Sequence, residues 1–234
     1  GRTVLISGCI DTQKVHISSA IASGYKYMLI VTSDEAKARK MCDDASFFNR
    51  EAIYYPAKDA IFYSADVHGN QITGERLRCI SRIINHSSTG EGVLTVVTTM
   101  DGIADRLIPV ERFKEAVITL DYSSEIEPEK LAKKLVAMGF VRTGMVEDKG
   151  QFAIRGGIID IFSYTDEAPV RIELWDTEVD SIRMFDVESQ RSIERLQSYS
   201  IFPATEYIFT EDELKNGLYN IKEECDRQLE CFDY

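Results

Sequence analysis

GQFAIRGGIIDIF, residues 150–162, followed by VRIELW at residues 170–175, is the stretch on which the fold turns. Side chains along a strand point alternately to opposite faces, so Val170, Ile172 and Leu174 fall on one side and Arg171, Glu173 and Trp175 on the other. The same parity in QFAIR sends Phe152 and Ile154 inward and Gln151 and Arg155 outward. The Gly156-Gly157 step between two such runs predicts a hairpin turn, and one apolar face predicts an antiparallel sheet packed on a single layer of helix. The outward face then carries two guanidinium groups, a carboxylate and an indole.

Working outward, EPEKLAKKLVAMGF places Leu131, Leu135 and Met138 at helical spacing. Pro128 suits the first turn, and Gly139 is set to end the helix. The basic residues Lys130, Lys133 and Lys134 lie on its polar side and read as a solvated face. Upstream, buried strands are expected at TVLIS, YMLIVT, AIYY and VLTVVTT. Helices are expected from about Gln13 to Ala22, Asp34 to Phe48 and Gly74 to Asn85, with Ser33-Asp34 starting the second. Continuous apolar strands alternating with helices describe a mostly parallel sheet covered on both faces. The strand AVITLDY leaves this unit. After Pro203 a helix is expected with Leu214, Leu218, Ile221, Cys225 and Leu229 on one stripe and a Thr210–Glu213 capping box.

At the end of the first expected strand, where a phosphate-binding loop would read G-x-x-x-x-G-K-[ST], the chain has Gly8-Cys-Ile-Asp-Thr-Gln13-Lys14-Val15. Gln13 replaces the glycine that lets backbone N–H groups wrap phosphates, and Val15 replaces the hydroxyl that ligates magnesium. Asp11 adds negative charge to what should be an anion cradle. The loop reads as a strand-to-helix connection, with no nucleotide cofactor. Tyr54, Tyr55, Phe62 and Tyr63 could form a base-stacking platform, but their place in an acidic domain favours packing.

Charge narrows the partners. A formal net charge of −12 and no long basic run argue against nucleic acid held by this chain itself, since that binding rests on cations neutralising phosphates. Five scattered cysteines without a C-x-x-C pair, and His16, His68 and His86 at no ligand offset, give no metal site. No apolar run is long enough for a membrane span and the start lacks a signal-peptide pattern, so a cytoplasmic protein is expected.

The RGG-IDIF strand pair and the R-I-E-L-W strand resemble the second domain shared by bacterial transcription-repair coupling factors and the excinuclease protein UvrB. IYYPAKDAIFYSADVHGNQITGERL and TVVTTMDGIADRLIP resemble the first domain of the coupling factors, and FDVESQRSIE with IFPATEY is more like the coupling factor than UvrB. The short connection Ser64 to Thr73, with Gly69 and Asn70 as turn residues, stands where UvrB would carry a longer aromatic-rich insert.

The resemblance implies an α/β architecture: a degenerate P-loop, RecA-like parallel-sheet domain at 1–113 and an inserted α+β antiparallel-sheet domain at 114–206. Residues 207–234 would be the helical start of a return segment to the first domain. It implies a non-catalytic fragment that recruits the excinuclease protein UvrA to stalled RNA polymerase, with Arg155, Arg171, Glu173 and Trp175 on the contact surface. Arg with Trp is also the composition of binding hot spots. Glu173 could pair internally with the two arginines or meet a basic group on the partner. RNA polymerase and DNA would be met only through domains outside this chain, as would ATP and magnesium, and later domains of the same protein could cover the stripe. The rival reading is a piece of an ATP-dependent DNA-processing enzyme of the UvrB or helicase type.

Overall fold

The structure is a computed structural model that describes residues 3–49, 51–58 and 66–232. Helix α1 (Asp11–Ala22) leads into β1 (Tyr27–Thr32), then α2 (Glu35–Phe48) and β2 (Ala52–Tyr55). Next come α3 (Asp66–Thr89), β3 (Leu94–Thr99) and the short helices α4 (Met100–Ala104) and α5 (Val110–Glu115). The three strands form a parallel sheet in the order β1-β3-β2, as the continuous apolar runs predict. Val15 of α1 and Ala38, Met41 and Ala45 of α2 pack with Val97, Ile30 and Tyr54 on one face. On the other, α3 lies against β2 and β3, while Tyr27, Leu29 and Val31 of β1 remain exposed. Asp34 caps α2 as expected, its carboxylate accepting from Lys37 N–H at 2.9 Å.

Two expectations fail in this unit. TVLIS is not a strand: residues 3–7 pair with nothing in the sheet, and Leu5 is 92% exposed, so apolar content without a neighbouring strand made no ladder. Gly69 and Asn70 do not turn the chain. They lie inside α3, which begins at Asp66, because helix propensity is a weak preference that a long adjoining amphipathic run overrides. Residues 64 and 65 of the expected connection, with Phe62 and Tyr63, lie outside the described residues. Tyr54 sits half-buried under the Arg39 guanidinium at 4.5 Å and Tyr55 is buried, so neither offers a stacking platform.

The second unit starts with β4 (Ile118–Asp121), then α6 (Pro128–Ala137) and the two-residue β5 (Val141–Arg142). It continues through β6 (Gln151–Arg155), β7 (Ile158–Phe162), β8 (Val170–Trp175), β9 (Glu178–Phe185), β10 (Ser192–Arg195) and β11 (Ser198–Ile201). A six-stranded sheet runs β10-β9-β8-β7-β6-β5, and β11 pairs antiparallel with β4 beside it. The expected antiparallel sheet holds for β6 through β10, but β5 adds on parallel to β6. Pro128 opens α6, and Gly139 ends it at φ 88°, the left-handed conformation that glycine adopts without strain. Leu131 and Leu135 of α6 bury against Phe152, Ile159, Ile161, Ile172 and Ile182, each worth about 1.5–3 kcal/mol of apolar burial.

The two units meet through Leu77 and Ile84 of α3, Phe113 of α5 and Phe202, with Tyr164 and Ile208 at the margin. A Cβ on Gly74 would lie 2.8 Å from Tyr164, so α3 approaches that ring closely only because residue 74 lacks a side chain. The chain then enters α7 (Glu211–Phe232), started by the expected box: Glu213 N–H donates to Thr210 Oγ1 at 3.2 Å and Thr210 N–H to Glu213 Oε2 at 2.9 Å. Its stripe of Leu214, Leu218, Ile221, Cys225 and Leu229 is amphipathic as read, and all five are exposed.

Candidate partner-binding face

The Gly156-Gly157 step forms the expected two-residue turn, with Gly156 at φ 61° and Arg155 paired to Ile158. That turn fixes the register of β6 against β7. Ala153 lies opposite Asp160, Asp160 opposite Arg171, and Arg171 opposite Arg183, giving one row across four strands on the outward face. The adjacent row is Arg155, Ile158, Glu173 and Ser181. The inward residues Phe152, Val170 and Ile172 are buried and Ile154 and Leu174 pack against the same core, as the alternation predicts.

Asp160 organises the face. Its carboxylate is 1% exposed and accepts from Arg155 Nη2 at 2.6 Å, from Arg171 Nε at 2.6 Å and from Arg171 Nη2 at 2.8 Å. A buried carboxylate is costly unless its lone pairs are filled by charged donors, and here two arginines fill them. Arg171 Nη2 donates also to Gln190 Oε1 at 2.8 Å, and its guanidinium lies over the Phe185 ring at 4.2 Å. The bonds to Asp160 hold the Arg171 pKa above its ordinary value, against the opposing pull of burial.

Exposure separates the two cations. The Arg171 side chain is 14% exposed and Arg155 is 43% exposed, so Arg155 presents the freer guanidinium while Arg171 is mostly committed inside the protein. Glu173 does not join either of them. It accepts from Ser181 Oγ at 2.8 Å and pairs with Arg183, whose register position two strands from β7 puts its guanidinium within reach. Of the two readings of Glu173, internal pairing with Arg155 and Arg171 is not what forms, because the Asp160 carboxylate takes both guanidinium groups. Trp175 stands on the same strand beside the β8–β9 turn, opposite Glu178, and is 80% exposed. An exposed indole is unusual for so large an apolar group.

Asp160, Arg183, Gln190 and Phe185 belong to this face and were missed in the sequence. The signal for Asp160 was present, since IIDIF alternates and Asp160 sits between two inward isoleucines, but its partners follow only from the register.

The residues at the other candidate site are placed differently. Gly8 takes φ 79° in a stretch without strand, and α1 begins at Asp11. The Gln13 side chain accepts from Ile10 N–H at 3.3 Å, occupying a backbone donor that a phosphate cradle would leave open. Lys14 Nζ pairs with Asp11 Oδ1 at 3.0 Å, a bond that with Lys37 nearby keeps the Asp11 carboxyl below its usual range. Val15 is wholly buried in the core under β3.

Among the described residues no group of His, Cys, Asp and Glu could hold a metal, and no helix is long and apolar enough to cross a membrane. Burial pushes the Cys42 thiol up to about 11 and the Cys79 thiol up to about 12, so both are inert at neutral pH. His16 stacks on Phe48 at 4.8 Å, and His86 is buried with Glu51 and the Lys26 carbonyl at 3.1 Å each, which are packing roles.

Residues 118–207, from β4 to just past β11, match the family described as the UvrB interaction domain. The transcription-repair-coupling factor of Bacillus subtilis is 38% identical over 220 residues, covering 93% of this chain. That of Staphylococcus aureus is 34% identical over 235 residues, covering 96%, and that of Staphylococcus haemolyticus is 34% identical over 221 residues, covering 92%. The chain spans only 18–20% of the length of these relatives. It belongs to the transcription-repair-coupling factors, as a segment of them built around a UvrB interaction domain.

Proposed function

We propose that this chain is a non-catalytic docking segment that binds the excinuclease protein UvrA through the outward face of β6, β7 and β8, and so recruits it to stalled RNA polymerase in transcription-coupled nucleotide excision repair. The observation that carries this reading is the pairing of a rigid charged cluster with a bare aromatic. Asp160 holds Arg155 and Arg171 in place before any partner arrives, and Trp175 stands 80% exposed on the same strand as Arg171. Preordered guanidinium groups lose little side-chain freedom on binding, and an exposed indole beside them supplies apolar area. Arg155 and Trp175 are the anchors toward the partner. Arg171 contributes its remaining edge and positions Asp160, and Glu173 with Arg183 forms a neutral pair beside them.

The parallel-sheet unit is read as a P-loop-type, RecA-like nucleotide fold that has lost its site. Three features support this: Gln13 caps the start of α1, Lys14 is tied to Asp11, and Val15 is buried where a magnesium-binding hydroxyl would stand. RNA polymerase, DNA and ATP are assigned to the parts of the relatives that lie beyond this chain.

Calorimetric titration of UvrA with the chain tests the docking reading. The structure dictates the variant: Arg155→Ala/Trp175→Ala changes exposed groups and leaves Arg171 on Asp160, whereas removing Arg171 would strand a buried carboxylate. Two hot-spot truncations predict at least about a hundredfold loss of affinity, with a native circular dichroism spectrum and a melting temperature lowered only modestly, because Arg171 still pairs with Asp160 where Arg155 is lost. Equal affinity of parent and variant would remove this face from the interface.

A further inference from the structure

At the carboxyl end of β2 the chain buries a complete guanidinium. Arg76 of α3 has no exposed surface, and a cation so placed persists only if its donors are filled. One side is satisfied within the parallel-sheet unit: Nη1 donates to the Pro56 carbonyl at 2.7 Å and lies 3.2 Å from Asp105 Oδ2, and the guanidinium sits over the Tyr55 ring at 4.3 Å. The other side, the Nε and Nη2 fork, receives Glu206, at 2.5 Å to Oε1 and 3.0 Å to Oε2. Glu206 is buried too, and comes from the segment that follows β11. A second cation flanks it, since Lys58 Nζ lies 3.1 Å from Glu206 Oε2 and donates to the Tyr207 hydroxyl at 2.6 Å.

Open α/β sheets take their ligands in the crevice outside the carboxyl ends of the strands. Arg76 and Lys58 stand in that position, presenting a planar fork and a point charge, which is the donor set for a carboxylate or phosphate group. We propose that Arg76 and Lys58 form an anion seat at the carboxyl edge of the parallel sheet, and that the Glu206 carboxylate fills it as an intramolecular ligand, latching the segment leaving the six-stranded sheet unit onto the parallel-sheet unit. The seat is closed to outside anions while Glu206 is in place and opens to small carboxylates when that side chain is shortened. Nothing in this depends on UvrA, because the docking face lies on the other sheet.

Chemical rescue tests it, using thermal melts of the whole chain in sodium formate and in sodium chloride at matched ionic strength. Glu206→Ala empties the Nε and Nη2 fork of a buried cation, leaving it Asp105 and the Pro56 carbonyl on one side only, and is expected to melt roughly 10 °C below the parent in chloride. Formate should raise its melting temperature saturably and recover at least half the loss, while moving neither the parent nor Arg76→Met/Glu206→Met relative to chloride. Formate acting alike on all three proteins, or Glu206→Ala melting with the parent, would overturn the seat. If Glu206→Ala does not fold in chloride, recovery of its circular dichroism by formate supports the seat and continued unfolding in formate overturns it. For the latch, Glu206→Gln should speed amide exchange at residues 202–208 at least about tenfold, with the core strands of the six-stranded sheet unchanged. Unaltered exchange there would overturn the latch.

Discussion

Asp160 sets what the two arginines can do. Because its carboxylate is buried and Arg171 nearly so, Asp160→Ala should destabilise the chain by about 3–5 kcal/mol in urea unfolding, the cost of a buried charge that has lost its partner. Trp175→Ala should change stability by no more than about 0.5 kcal/mol, since the indole is exposed; a loss comparable to that of Asp160→Ala would make Trp175 a core residue. The alternation in VRIELW was enough to place Trp175 outward. It could not identify Asp160 as the shared partner, because that requires the β6–β7 turn to have two residues and β8 to pair with β7 in one particular register. A half-buried carboxyl gives a pH signature. Burial raises the Asp166 pKa above its ordinary 3.8, only partly offset by the bond from the Tyr199 hydroxyl at 2.5 Å. The folded state therefore holds this proton more tightly than the unfolded chain does, and its contribution to stability is present below the unfolded pKa and lost as pH rises through the folded one. Relative to Asp166→Asn, the parent should lose stability as pH is raised from the ordinary 3.8 toward neutrality, and a difference that stays constant over that range would contradict the shift.

Strands and helices with a strong period were legible, and segments whose structure depends on neighbours were not. YMLIVT, AIYY and VLTVVTT became β1, β2 and β3 because each finds a partner in the parallel sheet, while TVLIS, equally apolar, found none. The helices α4 and α5 are too short for periodicity to show: α4 depends on its Thr99 cap, accepting from Gly102 N–H at 3.1 Å, and α5 on packing of Phe113. The β6–β7 hairpin depends on a feature that only the pair of strands reveals. A Cβ at Gly157 would stand 2.8 Å from the Leu174 carbonyl oxygen, in the neighbouring strand that Gly157 itself bonds, its carbonyl accepting from Leu174 N–H at 2.8 Å. Gly157→Ala should thus cost about 1–3 kcal/mol through a forced shift of β8, and Gly156→Ala about 1 kcal/mol through its positive φ alone. Equilibrium unfolding of the two variants checks the order, and the reverse order would mean that backbone strain and not strand approach governs the turn.

For the whole molecule, charge and architecture point to a protein partner. A chain of net charge −12 that pairs the cations of its outward face to its own carboxylates has little to offer a phosphate backbone, and in the segment after Gly8 the residues Gln13, Lys14 and Val15 are all engaged within the fold. Magnesium-ATP at ~1 mM should accordingly move the melting temperature by less than about 1 °C, and a larger, saturable rise would restore the nucleotide-binding reading. The proposed docking face can be watched directly, because Trp175 is the one tryptophan of the chain. Incorporating 5-fluorotryptophan gives a single fluorine resonance located on that face, and unlabelled UvrA adds no signal of its own. Titration with UvrA should shift or broaden this resonance to saturation as the indole leaves water. A resonance that stays at its free position while calorimetry registers complex formation would place the contact elsewhere and contradict the account.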